Sequence, residues 1–257
     1  MSDELSALAR EIALEVGALQ RERFHDERTI DTKSTPIDLV TDVDHASERI
    51  IVERIAAARP DDGILTEETG LARTSSSGVC WIIDPLDGTT NYAHRMPHFA
   101  VSIGVEVDGV REVGVIYDPI RQELFSAQRG KGGSVNGRPL RVSRATQLDQ
   151  ALLATGFAYD RQRAAENVEF FTRFLGRARA VRRAGSAALD LAYVAAGRFD
   201  GFWEMHLHAW DVAAGYLMVE EAGGRVSDFD GGPAPSSGER CVASNGALHG
   251  ILLAVLA

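Results

Sequence analysis

Two aspartates three residues apart, Asp84 and Asp87, close an apolar run in the segment WIIDPLDGTTN at residues 81–91. A turn needs one Asp and one Gly, so the second carboxylate is surplus to local structure and suits a cation. Pro85 stiffens the bend and Gly88 allows an unusual turn, which lets both carboxylates face one point. The GTTN that follows holds residue types found at helix N-termini, where outward N–H groups favour a phosphate. Cations and an anion would meet in one turn.

Hard divalent ions prefer oxygen ligands, so further acids should converge from elsewhere. Glu67 and Glu68 in ILTEETG, Asp42 and Asp44 in LVTDVDHASE, and Asp211 in HAWDVAAG stand at candidate positions among 37 acidic residues. Spacing alone does not select them. Taken singly, Asp44 and Asp211 read as helix caps and the Glu pair as a solvated face. Competing motifs fail: an EF-hand would place Leu86 and Gly88 at ligand positions, GKGGSV lacks the third glycine of a dinucleotide fingerprint, and no Walker A, HExxH or serine-hydrolase elbow occurs. His206 and His208 are not read as a metal pair.

The elements that must position these groups are legible in outline. Leu5, Leu8, Ile12, Val16 and Leu19 recur at helical spacing and predict an amphipathic helix over 4–24, and Ile50, Ile51 and Ile55 predict a second over 43–58. From residue 79 the pattern turns to strands, VCWIID, FAVSIGVEV and VREVGVIYD, with Asp108-Gly109 and Asn136-Gly137 as tight hairpin turns. After about 145 strands alternate with helices near 164–175, 186–196 and 210–222, which predicts a layered α/β half; residues 230–240 read as a loop. The expected division is 1–145, a helix and antiparallel-sheet half with most of the acids, and 146–257, an α/β half that completes the site.

Composition narrows the function classes. The chain has 257 residues, 45% hydrophobic and 25% charged, with a net charge of -10, which argues against nucleic acid as a partner. No run is long enough to span a bilayer. Cys80 and Cys241 are the only cysteines, without paired spacing, and the N-terminal segment is acidic and periodic, so a reducing cytoplasm is expected.

Together, TEE, WIIDPLDGTTNYAH, GVIYDP, GKGG…NG, GSAALDLAYVAAGRFDGFWE and WDVAAGYLMVEEAGG, in this order, resemble the inositol monophosphatase family of magnesium-dependent, lithium-sensitive phosphatases, over nearly the whole chain. The resemblance implies an α+β fold, a layered α/β/α/β/α sandwich of the inositol monophosphatase/fructose-1,6-bisphosphatase type, and a homodimer. It implies Glu67, Asp84 and the Leu86 carbonyl as ligands of a first Mg²⁺, Asp84, Asp87 and Asp211 as ligands of a second, and a looser third ion sharing Glu67. Gly88 and Thr89 match positions that hold phosphate by backbone N–H, and Thr89 with Asp44 matches the pair that orients and deprotonates water. Glu204 and Ala187 match positions that contact inositol hydroxyls. Thr66 departs from the pattern, standing where Gly often precedes the Glu pair.

The expected activity is Mg²⁺-dependent hydrolysis of a small polyol phosphate, inositol 1-phosphate first. The same metal site serves fructose-1,6-bisphosphatase, histidinol-phosphate phosphatase and 3'-phosphoadenosine 5'-phosphate phosphatase. A regulatory binding protein on this fold is the alternative of a different class.

Overall fold

In the computed structural model, which describes residues 1–257, the chain opens with α1 (Ser2–Glu22) and a short ribbon, β1 (Ile30–Thr32) and β2 (Leu39–Thr41), before α2 (Asp42–Ala58). There follow β3 (Gly63–Thr66), β4 (Gly70–Arg73), β5 (Val79–Asp87), α3 (Thr89–Ala93), β6 (Ala100–Val107), β7 (Val110–Asp118), β8 (Glu123–Gln128), β9 (Gly132–Val135) and β10 (Arg138–Pro139). The remainder is β11 (Leu152–Thr155), α4 (Arg161–Leu175), β12 (Ala180–Arg182), α5 (Ala187–Ala195), β13 (Gly201–Met205), α6 (Ala209–Glu221), β14 (Arg225–Ser227), β15 (Arg240–Ser244) and α7 (His249–Leu256). The expected helices are present within a few residues of their predicted bounds. The sequence LVTDVDHASE reads as a strand-to-helix passage, and β2 leading into α2 is that passage; β1 has no counterpart in the sequence reading, because a three-residue strand leaves no periodic signal.

An eight-stranded sheet runs β10-β9-β8-β7-β6-β5-β3-β4, antiparallel except where β3 lies parallel to β5; a five-stranded sheet runs β12-β11-β13-β15-β14 and is mixed. Asp108 and Gly109 both have positive φ, 51° and 77°, as do Asn136 and Gly137 at 49° and 78°. That is the backbone a two-residue hairpin demands, and Asx-Gly supplies it with least strain.

The core fixes the layering. One face of the large sheet, through Trp81, Ile83, Val101, Ile103 and Val115, packs on Leu5, Ile12 and Val16 of α1 and Ile51 and Ile55 of α2. Its other face meets α5 and α6, whose far sides meet Ala154, Phe202 and Ala243 of the small sheet. The outer face of that sheet, Leu153, Trp203 and Val242, is covered by Phe174 of α4 and Leu252 of α7. The α/β/α/β/α sandwich therefore follows from two sheets each buried on both faces. The register of α6 on the large sheet is tight: a Cβ on Gly104 would lie 2.6 Å from the Ala213 Cβ, and one on Gly114 2.6 Å from the Ala214 carbonyl oxygen. These two glycines set how near the start of α6 comes to the strand that carries Asp84.

Candidate active site

The apolar run does not end at Asp84, as the sequence pattern suggested; β5 continues to Asp87. Asp84 sits opposite Ser102 of β6 and Asp87 opposite Ala100, with the register shifting between them. Three steps on β5 thus answer two on β6, a bulge with one extra residue. In a regular strand residues three apart point to opposite faces. The extra residue puts Asp84 and Asp87 on the same face, toward α5 and α6, and sends Leu86 into a cluster with Phe24, Val43, Tyr92 and Phe99. The run ends in DPLD because a bulge there aims two carboxylates at one point.

Asp211 meets them from the first turn of α6. Asp84, Asp87 and Asp211 each offer an oxygen within 4.8 Å of the others. Two of the three also hold helix ends. Asp211 accepts from the His208 backbone N–H at 2.6 Å in a capping box, and Asp87 accepts from the Ala188 N–H at 2.8 Å and from the Ser186 hydroxyl at the start of α5. Asp211 is not the N-cap, which is His208, but the N3 partner in its capping box, and it still converges with the other acids because one carboxylate has two oxygens.

Glu67 follows β3, parallel to β5, and its N–H donates to the Ile83 carbonyl at 3.2 Å. Its side chain lies outside the triple and is held by Lys33, whose Nζ is 2.8 Å from Glu67 Oε1 and 2.5 Å from Glu68 Oε1. Glu68, whose side chain is only 5% exposed, is not the solvated residue expected from the sequence. Burial pulls the Lys33 ammonium down, and the charges of Glu67 and Glu68 more than offset it, so it stays protonated. A cation at Glu67 has to compete with this ammonium. Lys33→Met is therefore expected to lower the Mg²⁺ concentration needed for half-maximal thermal stabilisation by about 3- to 10-fold, on the order of 1 kcal/mol. An unchanged or higher Mg²⁺ requirement in a titration followed by melting would remove Lys33 from this role.

Asp44 stands at the third position of α2. Its Oδ2 accepts from the Thr41 N–H at 2.9 Å and from the Thr41 hydroxyl, while its Oδ1 accepts from the Thr89 hydroxyl at 2.8 Å. The same Thr89 hydroxyl lies 3.1 Å from the Leu86 carbonyl oxygen. The N-cap is Thr41 and Asp44 is its N3 partner, with the second oxygen left to accept from Thr89. Gly88, just before α3, has φ 99°, and a Cβ there would meet the His98 and Gly185 carbonyl oxygens at 3.1 and 3.2 Å. Only glycine fits this corner.

Around these groups lies a 410 Å³ cavity whose wall includes Lys33, Glu67, Asp87, Ala187, Glu204 and Asp211. Glu204 faces it from β13, 8% exposed, because strand alternation sends Trp203 and Met205 to the opposite side. His206 is bound between Glu166 (3.1 Å) and Glu239 (3.0 Å), and His208 stacks on Trp210, so neither joins a metal-type cluster. Sequence reasoning missed Lys33, Ser186 and Asp190. For Lys33 a signal existed, since it is one of two lysines in a chain otherwise reliant on arginine.

The acids strain one another. Burial, then Glu67, Asp87 and Asp211, push the Asp84 carboxyl well above the usual carboxylate range; burial, then Asp211, push Asp87 up to about 7. Burial likewise raises Glu67, Asp44 and, with Glu67, Glu68, the last to about 7. The donor set is all oxygen, buried and short of positive charge, which suits a hard divalent cation. Folded, these carboxyls hold protons more tightly than unfolded, so they cost stability as pH rises from the unfolded value of 3.8 toward about 7 for Asp87. A bound cation must displace those protons. The gain in Tm from Mg²⁺ should therefore grow with pH across that window, and melts showing a pH-independent gain would argue against this cluster as the cation site.

The comparisons agree with the geometry. The model of the inositol monophosphatase family matches residues 1–257. An inositol-1-monophosphatase of Synechocystis sp. is 45% identical over 251 residues, 97% of this chain and 88% of that protein. The Nus factor SuhB of Escherichia coli is 53% identical over 196 residues, 76% of this chain and 73% of that protein. The crystal structure of the extragenic suppressor protein suhB from Bartonella henselae superposes with TM-score 0.94 at 38% identity, covering 98% of each chain. A match along the whole chain, on the same layered fold, places this protein in the inositol monophosphatase family, as a phosphatase enzyme.

Proposed function

We propose that the protein hydrolyses the phosphate monoester of a small polyol, inositol 1-phosphate first, with Mg²⁺ as cofactor. The observation that carries this reading is the convergence of Asp84, Asp87 and Asp211 within 4.8 Å beside the Asp44–Thr89 pair. Glu67, Asp84 and the Leu86 carbonyl would hold one Mg²⁺ and Asp84, Asp87 and Asp211 a second, with a looser third ion at Glu67. When bound, the ions supply neutralisation of the phosphoryl and leaving oxygens. The chain's own groups do the rest. Gly88 and Thr89 present N–H groups to the phosphate at the first turn of α3. The Thr89 hydroxyl receives a proton from the attacking water as it passes its own to Asp44 Oδ1, 2.8 Å away. The new P–O bond forms to that water oxygen as the bond to the alcohol breaks. Ala187 leaves room for the ring, and Glu204 accepts hydrogen bonds from its hydroxyls.

The name inositol-1-monophosphatase on a relative 45% identical supports this substrate, and the family resemblance supports action as a homodimer. The test is phosphate release by the purified protein, with and without Mg²⁺, across inositol 1-phosphate, fructose 1,6-bisphosphate, histidinol phosphate and 3'-phosphoadenosine 5'-phosphate. Preference for the inositol ester supports the reading in full; preference for another ester keeps the metal site and overturns the substrate.

A second reading, regulation through a macromolecular partner, is favoured by the relative named Nus factor SuhB. A chain kept only for that role would be expected to have shed some of its mutually repelling buried acids. Their presence argues against regulation as the sole role and leaves it room only as an added one. No helix here is long and apolar enough to cross a membrane.

A further inference from the structure

One buried acid of the cavity wall is not used by the reaction above. Asp190 lies on α5, 1% exposed, and lines the cavity together with Glu204, Arg183 and Asp87. Its Oδ1 is enclosed without a hydrogen-bond partner. It caps nothing: the start of α5 is held by Ser186 and Asp87. A buried carboxyl oxygen left unpaired in a folded protein is a cost that packing does not recover, and native structures seldom keep one without use. Glu204, in the same cavity wall, is accommodated by the backbone. A Cβ on Gly156 would fall 2.0 Å from Glu204 Oε1, so the end of β11 is glycine where that carboxyl lies. Two carboxyl groups from different elements thus border one cavity, one seated over a glycine and one with an unpaired oxygen.

We propose that Asp190 is a specificity-determining residue, its carboxyl forming a hydrogen bond to a hydroxyl of the substrate's alcohol beside the one bound by Glu204. This rests on the phosphatase reading and extends it to the class of alcohol: a vicinal polyol, whose adjacent hydroxyls engage two neighbouring carboxyl groups. Burial first, then the nearby charges of Glu204 and Asp87, push the Asp190 carboxyl well above the usual range. In that state it has an O–H to donate as well as an oxygen to accept. A polyol hydroxyl complements both.

The experiment compares inositol 1-phosphate with p-nitrophenyl phosphate, an ester whose alcohol carries no further hydroxyl, in the Mg²⁺-loaded enzyme. Asp190→Leu, which keeps the branching and replaces both oxygens by methyls, is expected to lower kcat/KM for the inositol ester about tenfold more than for p-nitrophenyl phosphate. The loss should fall on KM rather than kcat, because a contact to the alcohol is made before and during bond breaking alike. Asp190→Asn, isosteric and still able to donate and accept, should recover most of the selectivity with Tm unchanged. If the leucine variant does not fold, Asp190→Ala carries the same comparison. An unchanged selectivity ratio, or equal losses on both esters with a lowered Tm, would overturn the assignment while leaving the phosphatase intact. Absence of phosphate release from either ester by the unsubstituted enzyme would sink the phosphatase reading, and this one with it.

Discussion

Asp211→Asn is expected to lower phosphate release at saturating Mg²⁺ by about 10²- to 10³-fold, on the order of 3 to 4 kcal/mol of transition-state stabilisation. The variant should stay folded. Its role in the capping box needs only an oxygen to accept from the His208 N–H, and the asparagine amide oxygen supplies one. The charge is what changes. Asp211 lies within 4.8 Å of Asp84 and Asp87, and its negative charge helps push both carboxyls up. Removing it relieves repulsion in the metal-free protein, whose Tm should hold or rise, and weakens the pull on a cation, so the Tm gain from Mg²⁺ should shrink. This combination, a stable but inactive protein less responsive to Mg²⁺, separates a cation ligand from a structural cap. Near-normal turnover would remove Asp211 from the metal site.

Thr89→Val should lower kcat by about 10²- to 10⁴-fold with KM little altered, the signature of a lost proton-transfer group rather than a lost binding contact. Valine keeps the shape of threonine and deletes the hydroxyl that joins Asp44 Oδ1 at 2.8 Å to the Leu86 carbonyl. A structural cost accompanies it, since Asp44 is wholly buried and loses one of its partners, at about 1 to 3 kcal/mol. Tm should fall accordingly. Thr89→Ser restores the hydroxyl and should recover most of the turnover, which a defect of stability alone would not predict. A Thr89→Val enzyme with unreduced kcat would show that the proton leaves by another route.

The relation between Asp44, Asp211 and their helices bears on how far a sequence can be read. Taken singly, each reads as a helix cap; the N-caps are Thr41 and His208, and each aspartate is instead the third helical residue that closes a capping box. Nothing in the spacing says that the second oxygen of Asp211 meets Asp84 and Asp87 or that the second oxygen of Asp44 meets Thr89, because that depends on where α2 and α6 lie relative to β5. The resemblance to a family assigned them roles; the geometry supplies the reason one residue can serve both. Glu68 teaches the reverse. Next to Glu67 it reads as a surface acid, and only the return of Lys33 from the preceding ribbon encloses it.

What the sequence determined by itself are the features whose physics is local. Helical periodicity placed α1 and α2, since burying one face is a property of the segment alone. Asx-Gly pairs marked both hairpins, since positive φ at two successive residues is a backbone demand few residues meet. The crowding of Asp84, Asp87 and the GTTN turn marked the site, because no local structure needs those residue types so close together. The tertiary structure decided what depends on elements far apart in the chain. It turned the end of β5 into a bulge by pairing it with β6, so that Asp84 and Asp87 share a face. It brought Asp211 to them by seating α6 against Gly104 and Gly114. It set Lys33 on Glu67 and left Asp190 unpaired in the cavity wall. Charge, burial and partner are properties of a place in space, and a residue acquires them only when the sheets and helices have closed around it.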